Sequence, residues 1–500
     1  MLKKVGIATF LVLFCSTGVF SQGGMRDAID VLNAGIGFYQ EDKMEEATDK
    51  FESAAASFTT ILEGVIPQED KAYSNYYLAT AKYYLGRIKK QKELFSEASE
   101  DFQKSIQGFK AIDLLGEEYL RSKYMRALCS FRQYQTERGT KSQIRFLESA
   151  IGDFEEFLTD EQLEEREEDL LDIIENAKFL KAFCKYKIGS LKMGNKSGFS
   201  NAKTMFSEAL DEFGALEKAS TEIIAIASQF LEAELHYMTA RLYMQVDDEG
   251  WKDAKLSRKT RPDAIEEELT SAIETMQKVV PKSSGYKDVQ KLAKLNINSY
   301  KVALGSIGDK SSVNDALSAL LELKGSKTYG NFAALRIADA QLLQFLIFEG
   351  SINSVSTTYS RVFSKFPEGK YWLGWAYFTL GEFDNALSNF NSFLAHAPKD
   401  EIRFKYMEAD AKLRQAESMF WKGVKENNLT LLSQASTIYK SLANPKGIYF
   451  NYLTNKQISI ANLRNFLIQI ETTLSGEKNP EMLKSAMEMN DIKLPGDADT

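Results

Sequence analysis

One stretch constrains the fold of this chain more than any other: PEGKYWLGWAYFTLGEFDNALSNFNSFLAHAPKD, residues 367–400. Its apolar residues recur at helical spacing in two blocks, which predicts two short helices. Gly381 ends the first helix, and Asp384 is placed to cap the second by accepting hydrogen bonds from its free backbone N–H groups. Pro398 then stops the second helix. The stretch therefore predicts a helical hairpin.

Small residues face each other in this predicted hairpin. Gly374 on the first helix and Ala386 on the second allow the two backbones to approach closely, and Tyr377 and Phe390 would fill the space around that contact. One hairpin cannot bury its own apolar face, so it needs a neighbour on each side. The sequence therefore predicts a stack of such hairpins.

Weaker copies of the second-helix pattern recur from residue 47 onward. The pattern is Ala, then Phe four residues on, then a small or aromatic residue three further. Its clearest copies are Ala47/Phe51/Ala54, Ala98/Phe102/Ser105, Ala150/Phe154/Phe157 and Ala202/Phe206/Ala209. They lie 51, 52 and 52 residues apart, which predicts lengthened helices or a longer loop in each N-terminal repeat. Degraded copies follow at Leu269/Ile273/Met276, Ala316/Leu320, Val355/Tyr359/Val362 and Ala435/Tyr439/Leu442. Together these copies predict about nine hairpins.

The stretch 367–400 resembles the tetratricopeptide repeat (TPR). The residues that carry the resemblance, at the spacing of the family, are Leu373, Gly374, Tyr377, Ala386, Phe390 and Pro398. Two positions depart from the family pattern: Lys370 stands where Trp is favoured, and Phe393 where a small residue is usual. The resemblance implies an all-α fold, a right-handed solenoid of helical hairpins.

The N-terminal residues have the composition of a secretory signal peptide. Lys3 and Lys4 precede an apolar run, and the segment around Ser21 offers a cleavage site, so residues 1–21 are expected to be removed. The run is shorter than the ~20 residues that a membrane-spanning helix needs. Lipidation at Cys15 is disfavoured by the bulky residues before it. No transmembrane segment is expected after cleavage.

The rest of the chain is interpreted as one folded region followed by a tail. Residues 22–474 are expected to form the solenoid, closed by a capping helix over 452–474, and residues 475–500 a flexible tail. The loops at 189–200 and 247–262 are interpreted as connections within it. Two cysteines remain, Cys129 and Cys184, with buried free thiols expected and a single bridge as the alternative.

Composition and motifs exclude several function classes. A net charge of −8 argues against a nucleic-acid surface. No catalytic, cofactor-binding or metal-binding motif is present, so no enzyme activity, cofactor or metal site is predicted. The only histidines, His236 and His396, lie far apart in the sequence and suit structural roles.

Two charged segments have alternative interpretations. Residues 153–175 hold twelve acidic residues and one basic residue. They suggest a calcium site or a dock for a cationic partner, but a solvated turn anchored by Leu158, Leu163, Leu170 and Leu171 is favoured. Residues 252–261 carry five basic residues beside Trp251, and a plain loop is favoured over a site for anionic lipid or polysaccharide.

The resemblance also implies a binding groove. First helices of successive TPR hairpins line a concave face that binds extended peptides or partner helices. The residues at matching positions here are Tyr371, Trp375 and Phe378, with Leu32, Ile36 and Tyr39 near the N-terminus. The alternative is that these side chains pack on the next repeat.

The function predicted from these features is an exported, non-catalytic scaffold in the periplasm or envelope of a bacterium, binding a protein or peptide partner on its concave face. One alternative is a structural subunit of an envelope or secretion assembly that docks through its edges or convex face. A third, an α-helical enzyme or carbohydrate-binding protein, would need carboxylates converging from distant repeats.

Overall fold

The computed structural model describes residues 23–193, 198–245, 260–348, 350–398, 402–442 and 444. The expected signal peptide, most of the basic loop at 252–261, the capping helix at 452–474 and the tail lie outside the described residues.

The described part of the chain is all-α, with no strand. Its α-helices are α1 Gly23–Gln40, α2 Met44–Glu63, α3 Gln68–Lys89, α4 Lys92–Ala111, α5 Glu117–Thr136, α6 Thr140–Leu158, α7 Leu171–Lys192, α8 Phe199–Ala215, α9 Glu222–Gln245, α10 Arg261–Lys282, α11 Lys287–Gly305, α12 Lys310–Leu323, α13 Gly330–Ile347, α14 Ile352–Val362, α15 Glu368–Thr379, α16 Phe383–His396, α17 Ile402–Lys425 and α18 Leu429–Leu442. A 3-10 helix, Glu161–Arg166, stands between α6 and α7.

Consecutive helices pack on each other as hairpins. This confirms the predicted all-α fold of packed helical hairpins. The second helices of the N-terminal hairpins, α2, α4 and α6, have 20, 20 and 19 residues, whereas α12, α14 and α16 have 14, 11 and 14. The period of 51–52 residues therefore comes mainly from lengthened helices.

First and second helices of a hairpin differ in burial. In α2 the buried residues, Ala47, Phe51, Ala54 and Phe58, form one stripe, and the rest of the helix faces outward. In α3, by contrast, residues 74–81 are all buried. The first helices are therefore enclosed by neighbours on several sides, and only parts of them reach the surface.

Gly374 contacts the second helix closely, as predicted, but through the Phe390 ring rather than through Ala386. A Cβ atom there would lie 2.6 Å from Phe390 Cε1, closer than real Cβ atoms come, so the ring of α16 lies directly against the backbone of α15. Gly381 has φ +71° and ends the hairpin's first helix, as predicted. The predicted cap was wrong: Glu382 occupies the cap position without a side-chain cap, and Asp384 accepts a hydrogen bond from Lys422 of α17.

The glycine contact recurs in other hairpins. A Cβ at Gly35 of α1 would lie 2.9 Å from the Phe51 ring, and one at Gly189 of α7 would lie 2.5 Å from the Phe206 ring. We call this contact, a first-helix glycine covered by a large side chain of the second helix, the glycine seat. It fixes where the two helices of a hairpin cross.

The chain divides into two compact units. Among the described residues, the first unit comprises 23–193 and 201–235, and the second comprises 198–200 and those from 236 onward. In the first unit, Cys129 and Cys184 are buried free thiols, as expected. Leu163 and Leu170 are buried as predicted, but Leu171 is exposed because it begins α7 on the outer side.

Candidate functional site

The predicted groove residues of the second unit lie mainly inside the stack. Tyr371 is 4% exposed and Phe378 is 7% exposed, while Trp375 is half-buried. The Tyr371 hydroxyl donates to Asp410 Oδ2 at 2.6 Å, and Trp375 Nε1 donates to the same oxygen at 2.9 Å. These aromatics therefore pack on the next hairpin, which is the alternative that the sequence leaves open.

The charged groups around Asp410 are paired with one another. The Arg414 guanidinium lies 4.2 Å from the centre of the Trp375 ring and donates to Glu417. Burial raises the pKa of Glu417, and the neighbouring Arg414 only partly offsets this effect. This arrangement satisfies its own charges and leaves little for a partner to bind.

The predicted groove residues near the N-terminus also comprise buried side chains and one half-buried ring. Leu32 is fully buried and Ile36 is 7% exposed. Tyr39 is half-buried; its ring meets the Tyr84 ring edge-on, with centroids 5.3 Å apart, and the Arg87 guanidinium lies 5.0 Å from its centroid. Partner binding by the six predicted residues stays a prediction. Because the other four side chains are buried, Tyr39 and Trp375 are the two of the six that a partner could contact directly.

Cations and rings alternate along the first helices of the first unit. We call this set, Arg87, Arg132 and Lys187 with Tyr83, Phe131 and Phe183, the cation–ring row. Its members belong to α3, α5 and α7. Repeat patterns in the sequence do not reveal the row, because its cations are 45 and 55 residues apart and share no constant period. The feature of the sequence that could have indicated these contacts is the spacing within each pair: in α5 and α7 an aromatic residue lies one or four positions before the cation.

The acidic segment is anchored through Asp160. Its carboxylate accepts hydrogen bonds from Lys123, from the Tyr119 hydroxyl and from the Gln162 backbone N–H. Burial alone would raise the pKa of Asp160, but these hydrogen bonds outweigh it and hold the pKa below its usual value. Beyond it, the acidic side chains of residues 161–169 are exposed. The segment is therefore a tethered turn with a solvated acidic surface.

The remaining sequence candidates have local partners. His236 Nδ1 lies 2.7 Å from Glu268 Oε2, and His396 Nδ1 lies 2.8 Å from the Ser392 carbonyl oxygen. Within the described ranges, no three His, Cys, Asp or Glu side chains are grouped so that they could hold a metal ion. In the same ranges, no helix combines the length and apolarity that crossing a bilayer requires.

Comparisons with known proteins give similarity of fold only. No protein-family model matches the chain, and no curated protein sequence does. Among solved structures, the apo form of RapI is 14% identical with a TM-score of 0.30, and the alignment covers 67% of this chain and 99% of that chain. A circular tandem repeat protein is 12% identical with a TM-score of 0.27, covering 93% and 98%. The TPR domain of P58(IPK) is 15% identical with a TM-score of 0.20, covering 78% and 99%. At these values the similarities carry no argument about function.

Proposed function

We propose that this protein is a non-catalytic scaffold that binds a protein or peptide partner on the concave face lined by its first helices. The observation that supports it is that first helices, although enclosed by neighbours, keep aromatic rings half-exposed: Tyr39 on α1, Tyr134 on α5 and Tyr186 on α7. Tyrosines at a surface are strong anchors in protein interfaces, because they bury a large area and retain a polar tip.

We further propose that the protein is exported and acts in the periplasm or envelope of a bacterium. The support is the composition of residues 1–21, with Lys3 and Lys4 before a short apolar run. Fractionation of cells that express the full chain tests this: the processed protein should appear in the periplasmic or envelope fraction. Full-length protein in the cytoplasmic fraction would contradict export.

Capture from envelope extract tests the binding function. The bait is the purified chain, compared with a Tyr39→Ala/Tyr134→Ala/Tyr186→Ala variant whose helicity is checked by circular dichroism. We expect wild type to recover a specific protein and the variant to lose it. Recovery of the same protein at the same yield by the folded variant would overturn the proposal.

One observation favours a second function, a structural subunit of an envelope assembly that docks through its edges or convex face. The acidic side chains of residues 161–169, which lie outside the first helices, are exposed. A Glu164→Gln/Glu165→Gln/Glu168→Gln variant therefore serves as the matched comparison in the capture experiment. Loss of the partner with this variant, and not with the tyrosine variant, would favour the assembly subunit over the first-helix scaffold.

A further inference from the structure

Every second turn of the second unit lies at the same end of its hairpins, because consecutive packed helices run in opposite directions. The turns that lead from a second helix to the next first helix follow α10, α12 and α14. Taken with the adjoining helical turn on each side, they span residues 279–290, 320–333 and 359–371. We call these three segments the basic turns.

The basic turns carry an excess of positive charge that no internal acid neutralises. Their seven basic residues are Lys282, Lys287, Lys324, Lys327, Arg361, Lys365 and Lys370, and their three acidic residues are Asp288, Glu322 and Glu368. All of the seven cations except Lys370 are exposed. Among the described residues, none of the seven forms an ion pair. Their charge is therefore available to a ligand.

The positive charge belongs to this end of this unit, not to turns of the repeat in general. At the opposite end of the second unit, the turns hold five acidic and three basic residues, within 302–313, 344–355, 376–386 and 422–432. In the first unit, the turns equivalent to the basic turns hold nineteen acidic and four basic residues, within 60–71, 108–120, 155–174 and 212–225. A repeat architecture alone therefore does not account for the excess.

Aromatic rings lie among these cations and connect successive turns. Phe332, in the first turn of α13, is 48% exposed, and its ring meets that of Phe366 edge-on with centroids 5.1 Å apart. Phe363 is half-buried; Lys370 Nζ lies 5.4 Å from its centroid, and the His396 ring at the end of α16 lies 5.2 Å from it. Apolar and positively charged groups are therefore neighbours at this end of the unit.

Backbone hydrogen bonds hold the turns in shape. The N–H groups of Lys365 and Phe366 both donate to the Val362 carbonyl oxygen at 3.0 Å. In the turn after α12, the Gly330 N–H donates to the Ser326 carbonyl oxygen at 2.8 Å. Because the backbone is already ordered, binding through these turns would cost little further main-chain freedom.

We propose that the basic turns bind the surface of a bilayer that contains anionic phospholipids. The lysines lie among the headgroups, and the Phe332 ring enters the boundary between headgroups and acyl chains. The inference goes beyond the scaffold function, because it concerns a different unit and a different class of ligand.

The side chains favour a bilayer over other anionic ligands. Phenylalanine has no polar group that could bind sugar hydroxyls, so the exposed Phe332 suits acyl chains better than a polysaccharide. A bilayer presents anionic headgroups over its whole surface, so cations on three separate turns can bind it without a fixed spacing. Long lysine side chains also lay their apolar stems along the boundary while their ammonium groups stay in water.

Sedimentation with vesicles tests the inference. The protein is residues 22–500, which retain every described helix and lack the apolar N-terminal run that would itself bind lipid. We expect it to partition onto vesicles of phosphatidylcholine and phosphatidylglycerol in equal parts about tenfold more strongly than onto phosphatidylcholine alone, and less as salt rises. Equal partitioning onto both vesicles, or none onto either, would overturn the inference.

Charge variants locate the site. Lys324→Gln/Lys327→Gln/Lys365→Gln should weaken partitioning onto the anionic vesicles about tenfold or more. The matched control, Lys294→Gln/Lys310→Gln/Lys425→Gln, removes the same charge from exposed lysines of the same unit outside the basic turns, and should partition within about twofold of wild type. Equal losses in the two variants would show general charge attraction and would overturn the basic turns as the site.

A tryptophan at position 332 distinguishes a bilayer from another polyanion. In Phe332→Trp, anionic vesicles with brominated acyl chains should quench more fluorescence than they quench in wild type, because the added indole lies near the acyl chains. No additional quenching would overturn insertion of this ring. Binding to dextran sulfate as strong as to vesicles, again without additional quenching, would identify a polysaccharide as the ligand instead.

Discussion

At the scale of single residues, the glycine seat decides how closely two helices approach. Phe206 covers Gly189 so tightly that a Cβ there would lie 2.5 Å and 2.6 Å from two ring carbons. At Gly152 on α6, by contrast, an added Cβ would meet nothing within 4 Å. The two glycines therefore make opposite predictions for the same substitution.

We expect Gly189→Ala to lower the free energy of unfolding by about 1–3 kcal/mol, because the ring must move from a well-packed position. Gly152→Ala should raise it by about 0.5–1 kcal/mol, because alanine favours the helix and meets no obstacle. Urea unfolding followed by circular dichroism measures both.

A second substitution tests the cause. Phe206→Leu in the Gly189→Ala background should recover part of the lost stability by giving the methyl group room. No recovery, or a stable Gly189→Ala single variant, would show that the seat does not limit the approach of the helices.

Residue patterns in the sequence were sufficient to predict that Gly374 and Phe390 lie at the contact between their helices, because both residues belong to one hairpin and local spacing brings them together. They did not show that the Phe390 ring, rather than Ala386, covers the glycine. They were not sufficient for Tyr371 and Phe378. Their burial depends on Asp410 and on other residues of α17. These residues are distant in the sequence: Tyr371 and Asp410, for example, are 39 residues apart. A first helix that is enclosed on several sides has apolar residues all round, so its sequence does not show which of them remain at the surface.

At the scale of elements, two hairpins of the second unit modify the repeat pattern. Tyr359 on α14 and Tyr439 on α18 stand where the pattern has Phe. The Tyr359 hydroxyl donates to Asp339 Oδ1 of α13 at 2.7 Å, and Arg336 donates to the other carboxylate oxygen. The tyrosine thus replaces a purely apolar contact with a hydrogen bond between the two helices.

Tyr359→Phe should lower stability by about 1–3 kcal/mol at neutral pH, because the Asp339 carboxylate loses a buried hydrogen bond. Burial raises the pKa of Asp339, and Arg336 and the Tyr359 hydroxyl offset this in part, so the variant should raise that pKa further. An acid whose folded pKa is raised loses stability as pH increases through that pKa.

The deficit of Tyr359→Phe should therefore shrink when the pH is lowered through the raised pKa of Asp339, because the carboxyl group then becomes protonated in the folded state. Unfolding curves for wild type and variant at several pH values measure it. A loss of stability that is the same at every pH would contradict a role for the ionised Asp339. The control is Tyr377→Phe, in a neighbouring helix, because the Tyr377 hydroxyl has no such hydrogen bond to a carboxylate of any described residue.

At the scale of the whole molecule, the chain is two compact units built from hairpins that contact mainly their neighbours. The stability of such stacks is approximately a sum over repeats and the interfaces between them. A local change should therefore have local consequences, unlike in a domain with one shared core.

Hydrogen exchange measured by mass spectrometry tests this for Gly189→Ala. Exchange should increase in α7, α8 and the adjoining helices of the first unit, and peptides from α15 to α18 should exchange as in wild type. Faster exchange throughout the chain would contradict it and would show that the whole molecule unfolds as one cooperative body.

The glycine seat also bears on how such a chain can change over generations. Each seat is formed within one hairpin, so a duplicated gene segment would carry its own alignment of the two helices with it. The helices could then lengthen at their free ends, as those of the N-terminal hairpins have, while the crossing point is inherited unchanged. In such a lineage the surface of each repeat can increase while the packing of the two helices in each hairpin is retained.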